Sequence, residues 1–291
     1  MILPFDAHNH VHMGPSPPVG ALMKSHADGG TSQDTENEAT NVSGMAIMST
    51  HPRDFEHVLT LSKSLPSKVN GRVKIVPCFG IHPWFLHEVS EDTSQWIKEL
   101  EDRLQTNPNA MVGEIGLDGF HFDPETEELT SSMERQVEAF RLQMELAARL
   151  ARPVSIHTVQ CFGPLFDAIH QIKKDAKQNN IQQALPPKMY FHAFGGKAAT
   201  IDQLLAMCGK QPGQVYFGFA PIINFRSPKT ADVVRRCGIE RLVLETDHED
   251  AACVPDSIEQ CIQFLATTLD LNEREVIERT TANSYDLYGL N

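Results

Sequence analysis

The run Lys74-Ile75-Val76-Pro77-Cys78-Phe79 decides the fold class, because its apolar residues are nearly continuous. A strand with one face in water alternates apolar and polar residues, whereas a strand covered on both faces does not. Strands covered on both faces are typical of parallel sheets packed between helices. This run therefore predicts a buried strand of an α/β fold.

Seven further runs of similar character, and helical patterns between most of them, extend the prediction to the whole chain. The predicted strands are 3–8, 44–49, 74–79, 110–115, 153–157, 188–191, 214–219 and 241–245. The clearest helical pattern is 133–150, with apolar residues near a 3.6-residue period; similar patterns are 95–104, 162–176, 198–207, 228–237, 258–269 and 273–285. This alternation predicts a single (β/α)₈ TIM barrel, with an open doubly wound sheet as the alternative.

Length and composition are compatible with one domain spanning residues 1–291. The chain has 291 residues, of which 41% are hydrophobic, and α/β barrels commonly have about 250 residues. Residues 14–40 are rich in Gly, Pro, Ser, Asp and Asn and predict a long loop after the first strand. We find neither a signal peptide nor an apolar stretch approaching the roughly 18 residues of a membrane span.

Charge and cysteine usage restrict the possible partners and compartment. The net charge of -13 disfavours broad adhesion to DNA or to anionic membranes. It leaves nucleic-acid substrates open, because bound divalent metals supply local positive charge. Six scattered cysteines without a C-x-x-C pair predict reduced thiols in a cytoplasmic or nuclear protein, which we expect to be a monomer.

Ligand-type side chains lie at or directly after the ends of five of the predicted strands. They are His8 and His10 for strand 1, Glu114 for strand 4, His157 for strand 5, His192 for strand 6 and Asp247 for strand 8. A single such His is more often a hydrogen-bonded structural residue, and a single such Asp is often a helix N-cap. In a barrel, however, the carboxyl ends of all strands meet on one face.

Together, four imidazoles and two carboxylates predict a divalent metal site. A catalytic ion takes three or four protein ligands and keeps one position open. Six candidates therefore suit two ions with a bridging carboxylate, an arrangement that activates water and stabilises the leaving oxygen in phosphoryl transfer. Zn²⁺, Mn²⁺, Mg²⁺ and Co²⁺ all remain open, with imidazoles favouring Zn²⁺ or Mn²⁺ over Mg²⁺.

Several motifs in order resemble those of the TatD family of metal-dependent deoxyribonucleases, within the amidohydrolase superfamily. The family's opening D-x-H-x-H is similar to Asp6–His10, and its G-E-x-G-L-D is similar to Gly113–Asp118. Further matches are Gly80–Pro83 to G-x-H-P, 153–157 to P-V-x-x-H, 191–196 to F-H-x-F-x-G, 244–247 to L-E-T-D and 283–289 to the closing N-x-x-x-x-F-G.

The resemblance implies roles for individual residues. His8, His10 and Asp247 would bind one metal, Glu114 would bridge, and His157 and His192 would complete the second site. Asp247 would also accept a proton from the water, as general base. His82 would contact the scissile phosphate. The implied activity is cleavage of DNA, as a 3'-5' exonuclease.

The chain also departs from the family pattern around these motifs. His12 replaces a frequent Asp, Val159 a common Arg, Trp84 a His or acidic residue, and His248-Glu249-Asp250 a small residue followed by Pro. For His12 we prefer a surface position over a spare ligand. Glu249 and Asp250 would add negative charge near the site, which disfavours a phosphodiester.

Three hypotheses for function follow. In the first, the enzyme is a DNA exonuclease in which Trp84 and Phe85 stack on a base, while Lys197, Arg226 and Lys229 bind the backbone. In the second, the same metals hydrolyse a small ester, amide or lactone. In the third, the chain is mainly an interaction protein that binds a partner through loop 14–40, since some fungal members of the family are described as partners of a cell-cycle ubiquitin-ligase subunit.

Overall fold

The computed structural model describes residues 2–22, 41–68 and 73–290. Its strands are β1 (Phe5–Asn9), β2 (Gly44–Met48), β3 (Lys74–Phe79), β4 (Met111–Asp118), β5 (Val154–Val159), β6 (Met189–Phe191) and β7 (Val215–Phe217). Its helices are α1 (Phe55–Lys68), α2 (Thr93–Thr106), α3 (Met133–Arg149), α4 (Phe162–Gln178), α5 (Ala198–Cys208), α6 (Pro221–Asn224), α7 (Thr230–Cys237), α8 (Val254–Leu269) and α9 (Glu273–Tyr288). Short 3-10 helices cover Pro18–Leu22, Pro52–Asp54, Pro83–Glu88, Ile239–Arg241 and Ala251–Cys253.

The seven strands form one parallel sheet in the order β1 to β7, so every strand pairs with its sequence neighbours. Helices cover the outside, and all eight residues of β4 are buried, as expected of a strand covered on both faces. This unbroken order confirms the predicted TIM barrel, because a doubly wound sheet would reverse its strand order at a switch point.

The prediction of a regular eighth strand at 241–245 is wrong in detail, although this segment does close the barrel. The Val243 amide donates to the Phe217 carbonyl of β7 (3.1 Å), and the Ala7 amide of β1 donates to the Leu244 carbonyl (2.8 Å). Residues 239–241 form a 3-10 helix instead of entering the segment as a strand. The segment thus bridges β7 and β1 with too few ladder bonds to make a regular strand.

Two further expectations are corrected. β4 and β5 run past their predicted ends at 115 and 157, because Gly116–Asp118 pair with residues 157–159. Glu114 and His157 therefore lie inside the observed strands and not at their ends. Helix α1 was not predicted, since Pro66 lies inside it and its polar residues mask the buried positions Phe55, Val58 and Leu65.

Close backbone packing brings β4 against β5 at the level of the polar residues. A Cβ atom at Gly116 would lie 2.0 Å from the His157 carbonyl oxygen, so only glycine fits there. The predicted loop 14–40 is described only to residue 22, within which 18–22 form a 3-10 helix, and residues 23–40 lie outside the described part. Among the described helices, none has the length and apolar character that crossing a membrane requires.

Candidate metal centre

The barrel brings all six predicted ligand residues together at one end of the sheet. They arrive from β1 (His8 and the following His10), β4 (Glu114), β5 (His157), the residue after β6 (His192) and the closing segment (Asp247). Five of them line one pocket of about 180 Å³, namely His10, Glu114, His157, His192 and Asp247, while His8 is fully buried beside it. The predicted convergence is therefore present in the structure.

The first group of ligand atoms surrounds one oxygen of Glu114. Its Oε2 lies 3.4 Å from His8 Nε2 and 3.2 Å from His10 Nε2. The two imidazole nitrogens are 3.2 Å apart. Asp247 Oδ1 lies 3.5 and 3.6 Å from the same two nitrogens. Four ligand atoms from three separate parts of the chain thus point to one place.

The second group surrounds the other oxygen of Glu114. Its Oε1 lies 3.0 Å from His157 Nδ1 and 2.5 Å from His192 Nε2. These nitrogens are 3.3 Å apart. His82 Nε2 is 3.3 Å from the same oxygen. Each carboxylate oxygen of Glu114 therefore faces its own set of imidazoles, which is the arrangement of a bridging carboxylate.

Hydrogen bonds on the far side of three imidazoles leave the inward nitrogen free to bind a cation. The other ring nitrogens of His8, His10 and His157 bond to the Ser155 hydroxyl (3.0 Å), the Met48 carbonyl (2.9 Å) and Asp118 Oδ2 (3.0 Å). Such outer partners fix the tautomer and the ring orientation of metal-binding histidines. The donor set suits a divalent transition metal, with imidazole and carboxylate ligands and no thiol.

The electrostatics of the centre also favour a bound cation. Burial acts to raise the pKa of Glu114, but His192, His82 and His8 outweigh it and hold the pKa well below its usual value. Burial lowers the pKa of His8 well below its usual value, and His192 lowers it further. An ionised carboxylate and a neutral imidazole are the forms that bind metals.

Two residues of the centre attract protons when no metal is present. Burial acts to lower the pKa of His10, but its contacts with Glu114 raise the pKa to about 9. Burial likewise acts to lower the pKa of His157, while hydrogen bonds to Asp118 and Glu114 raise it to about 9. The acidic residues therefore demand compensating positive charge, which protons or metal ions can supply.

Two buried carboxylates beneath the ligands were quoted within sequence motifs but given no role. Asp6 accepts hydrogen bonds from the Thr246 amide (3.1 Å) and hydroxyl (2.9 Å), so it ties β1 to the segment carrying Asp247. Glu245 accepts from the Tyr190 hydroxyl and the Ala193 amide. His8, His192 and Glu245 form a further potential metal-binding group. Side chains two residues apart on an extended segment point to the same side, so the spacing could have indicated that Glu245 points inward like Asp247.

The backbone at Asp247 adopts an unusual conformation, with φ of +56°. Left-handed φ values cost a non-glycine residue free energy of order 1–3 kcal/mol and cluster at functional sites. The Asp247 amide donates to the His8 carbonyl (3.0 Å), which stabilises the turn. The turn leaves the Asp247 carboxylate facing the first group of ligand atoms.

His82 and Trp84 lie at the same pocket, whereas two predicted substrate-binding residues do not. His82 is buried and Trp84 is 39% exposed, and both line the pocket together with Phe85. Lys197, at the start of α5, and Arg226, after α6, are exposed and are not among the described lining residues.

The surface position preferred for His12 is wrong. Its ring is buried and its Nε2 lies 3.9 Å from Asp54 Oδ2, because the turn after His10 folds back towards α1.

A family model described as TatD related DNase matches residues 5–289. The chain belongs to this family. It is therefore a metal-dependent hydrolase of the TatD family, as the sequence motifs predicted. The family's fold explains why ligands from separate strands meet at one end of the sheet.

Individual relatives agree with this membership. The chain is 25% identical to Cut9-interacting protein scn1 of Schizosaccharomyces pombe, covering 84% of this chain and 91% of that protein. It is 27% identical to Deoxyribonuclease TATDN3 of Homo sapiens, covering 85% and 84%. A crystal structure of a TatD family hydrolase from Entamoeba histolytica superposes with a TM-score of 0.73 at 17% identity, covering 99% and 98%. That likeness confirms the fold.

Proposed function

We propose that this TatD-family enzyme binds two divalent ions and hydrolyses phosphodiester bonds of DNA. The observation that carries the proposal is the position of Glu114, whose two oxygens each face a different set of imidazole nitrogens at 2.5 to 3.4 Å. His8, His10 and Asp247 would hold one ion, and His157 and His192 the other. When bound, such ions activate water and neutralise charge on a phosphodiester.

Asp247 is the residue we propose as general base. Burial raises the pKa of its carboxyl above the usual value, which brings a carboxylate closer to the range useful for proton transfer at neutral pH. One Asp247 oxygen faces His8 and His10, which leaves the carboxylate at the edge of the ligand group and open to the pocket.

We propose that two further residues lining the pocket, His82 and Trp84, contact the substrate. His82 Nε2 lies beside Glu114, so it can donate to a phosphate oxygen held at the centre. Trp84 presents an aromatic surface on which an unpaired base can stack, as in many proteins that bind single strands. We retain Lys197 and Arg226 as contacts for more distant phosphates.

The size of the pocket supports cleavage from a strand end. A pocket of about 180 Å³ is too small for a continuous duplex, and we propose that the enzyme works from a strand end with 3'-5' polarity. We further propose that residues 1–291 act as one monomeric domain in the cytoplasm or nucleus. All six cysteines are free, which accords with a reducing compartment.

A small ester, amide or lactone is the second candidate substrate. Within the described residues that line the pocket, Lys and Arg are absent, while Met13, Ile222, Ile223 and Glu249 are present. An apolar and acidic wall suits a substrate with less negative charge than DNA. Capture of a protein partner through loop 14–40 stays a third hypothesis, supported by the name of the S. pombe relative.

Cleavage of labelled single-stranded DNA by the metal-reconstituted protein tests the proposal. We expect shortening from the 3' end that is abolished by EDTA and by Asp247→Ala. A protein that binds metal but leaves DNA intact, and instead turns over members of an ester or amide panel, would replace the first substrate class by the second.

A further inference from the structure

Asp118, the last residue of β4, joins the ligand His157 to the mouth of the pocket. Its Oδ2 accepts one hydrogen bond from His157 Nε2 (3.0 Å) and one from the indole Nε1 of Trp84 (2.7 Å). Its Oδ1 accepts from the backbone amides of Phe120 (2.7 Å) and His121 (3.0 Å). The carboxylate is buried and has four N–H donors.

The four bonds determine what Asp118 can do. The Trp84 indole and the backbone amides of Phe120 and His121 can only donate, so both carboxylate oxygens of Asp118 act as acceptors. With a metal ion bound on its Nδ1 side, His157 would keep its proton on Nε2 and direct the Nδ1 lone pair towards the ion, next to Glu114 and His192. A hydrogen-bonded carboxylate on the outer nitrogen makes an imidazole a stronger metal ligand.

Trp84 shares this carboxylate oxygen with His157 while its ring lies in the pocket mouth. The indole is 39% exposed and stacks on the His121 ring, with centroids 4.4 Å apart and an interplanar angle of 16°. Two donors on one oxygen compete for its electron density. A stronger bond from Trp84 therefore leaves a weaker bond for His157.

We propose that Asp118 is a positioning residue through which Trp84 sets the strength with which His157 binds the second divalent ion. The inference rests on the two-ion centre of the proposed function but not on its DNA substrate. Because coupling between two sites is reciprocal, a change at the second ion also alters the surroundings of the Trp84 indole.

Zinc titration of chelator-treated protein tests the inference without any measurement of catalysis. Calorimetry gives the affinities of the two ions separately. Asp118→Asn places an amide where only acceptors fit, and we expect the second zinc to bind about 10- to 100-fold more weakly. Trp84→Phe keeps a ring but removes the competing donor. We expect the second zinc to bind about two- to tenfold more tightly, the range that one hydrogen bond contributes.

The opposite signs distinguish positioning from structural support, since a merely structural role would weaken zinc binding in both variants. His121→Ala is the matched control, because it removes the stacking partner of Trp84 and leaves the four donors of Asp118 in place. We expect its second-zinc affinity to equal that of the unaltered protein. Weaker binding in Trp84→Phe, or an unchanged affinity in Asp118→Asn, would overturn the inference.

Fluorescence supplies a second readout that stands even if Asp118→Asn fails to fold. The chain has two tryptophans, so in a Trp96→Phe background the emission reports Trp84 alone. We expect the emission to change when the second zinc binds and not when the first does. An unchanged emission at the second step would contradict the coupling. Binding of only one zinc would defeat the two-ion centre itself, whereas two zincs with these shifts but no DNA cleavage would defeat only the substrate.

Discussion

The floor and the mouth of the pocket differ in almost every physical respect. The floor consists of the six proposed ligand residues, which lie on or directly after strands or in the closing segment: His8, His10, Glu114 and His192, which are buried, and His157 and Asp247, which are partly buried. The mouth consists of Met13, Trp84, Phe85, Ile222, Ile223 and Glu249, which lie on connecting segments. Ile223 there is 53% exposed, whereas Glu114 is 2% exposed.

This difference predicts that the floor determines the reaction and that the mouth selects the substrate. Hydrogen bonds to the Ser155 hydroxyl and the Met48 carbonyl hold the floor imidazoles from behind. The mouth residues Ile222 and Ile223 are exposed on the short helix α6, and the connections of a barrel vary without disturbing its core. Substitutions in the floor should therefore reduce turnover, and substitutions in the mouth should change substrate binding.

Removal of the carboxylate that we propose to bridge the two ions, Glu114, should have the largest effect. Glu114→Gln leaves one oxygen and puts an amide NH₂ group, which does not bind metal ions, in place of the other. We expect loss of at least one bound ion and a fall in kcat/KM beyond the ~10²–10⁴-fold that proton transfer alone contributes. Metal content by elemental analysis and DNA cleavage are the measurements. Glu138→Gln, an exposed position on α3, is the control, and retention of two ions in Glu114→Gln would show that Glu114 does not bridge.

Neutralising the proposed general base should have the next largest effect. Asp247→Asn keeps an oxygen towards His8 and His10 but cannot accept a proton. We expect kcat to fall by about 10²–10⁴-fold, with metal content close to that of the unaltered protein. A comparison of kcat, metal content and thermal melting separates lost proton transfer from lost metal. If activity falls only because an ion is missing, Asp247 acts as a ligand alone.

Truncation of the mouth should act on binding more than on turnover. Base–aromatic stacking contributes about 1–3 kcal/mol per base, so Trp84→Ala should raise KM for single-stranded DNA by about 5- to 150-fold. We expect a smaller change in kcat, arising through the bond to Asp118. Phe122→Ala, an exposed aromatic in the segment after β4, serves as the matched truncation outside the described pocket lining. A large fall in kcat with unchanged KM would show that Trp84 acts on turnover, like the floor residues, and not on substrate binding.

The sequence predicted the floor because its residues follow the regularities of parallel strands. Five of the eight buried runs end in or beside a ligand-type side chain, and barrel closure places those chain segments at one end of the sheet. That reasoning required only the strand order. The prediction placed Glu114 and His157 at the ends of their strands, although both strands continue beyond them. The pairing of Gly116 with His157 depends on the register between β4 and β5 and not on the local sequence pattern.

The supporting residues and the mouth could not be predicted in the same way. Asp118 stands in a recognised motif, but its two side-chain partners, Trp84 and His157, lie 34 and 39 residues away. The buried turn at His12 likewise depends on Asp54 in another segment. Such contacts arise from the meeting of irregular connections, for which neither strand nor helix periodicity carries information.

The smallest expected effect concerns the charge of the mouth and tests the choice between DNA and a less charged substrate. Glu249 lines the pocket and is exposed, so its interaction with a phosphate acts through water and is screened by salt. Glu249→Gln should lower KM for DNA by a factor corresponding to at most about 1 kcal/mol at low ionic strength. The gain should disappear at high salt, while Glu273→Gln, an exposed position in the first turn of α9, should change KM at neither. An increase in KM for DNA would mean that Glu249 accepts a hydrogen bond from the substrate. The mouth would then be adapted to a ligand other than a polyanion.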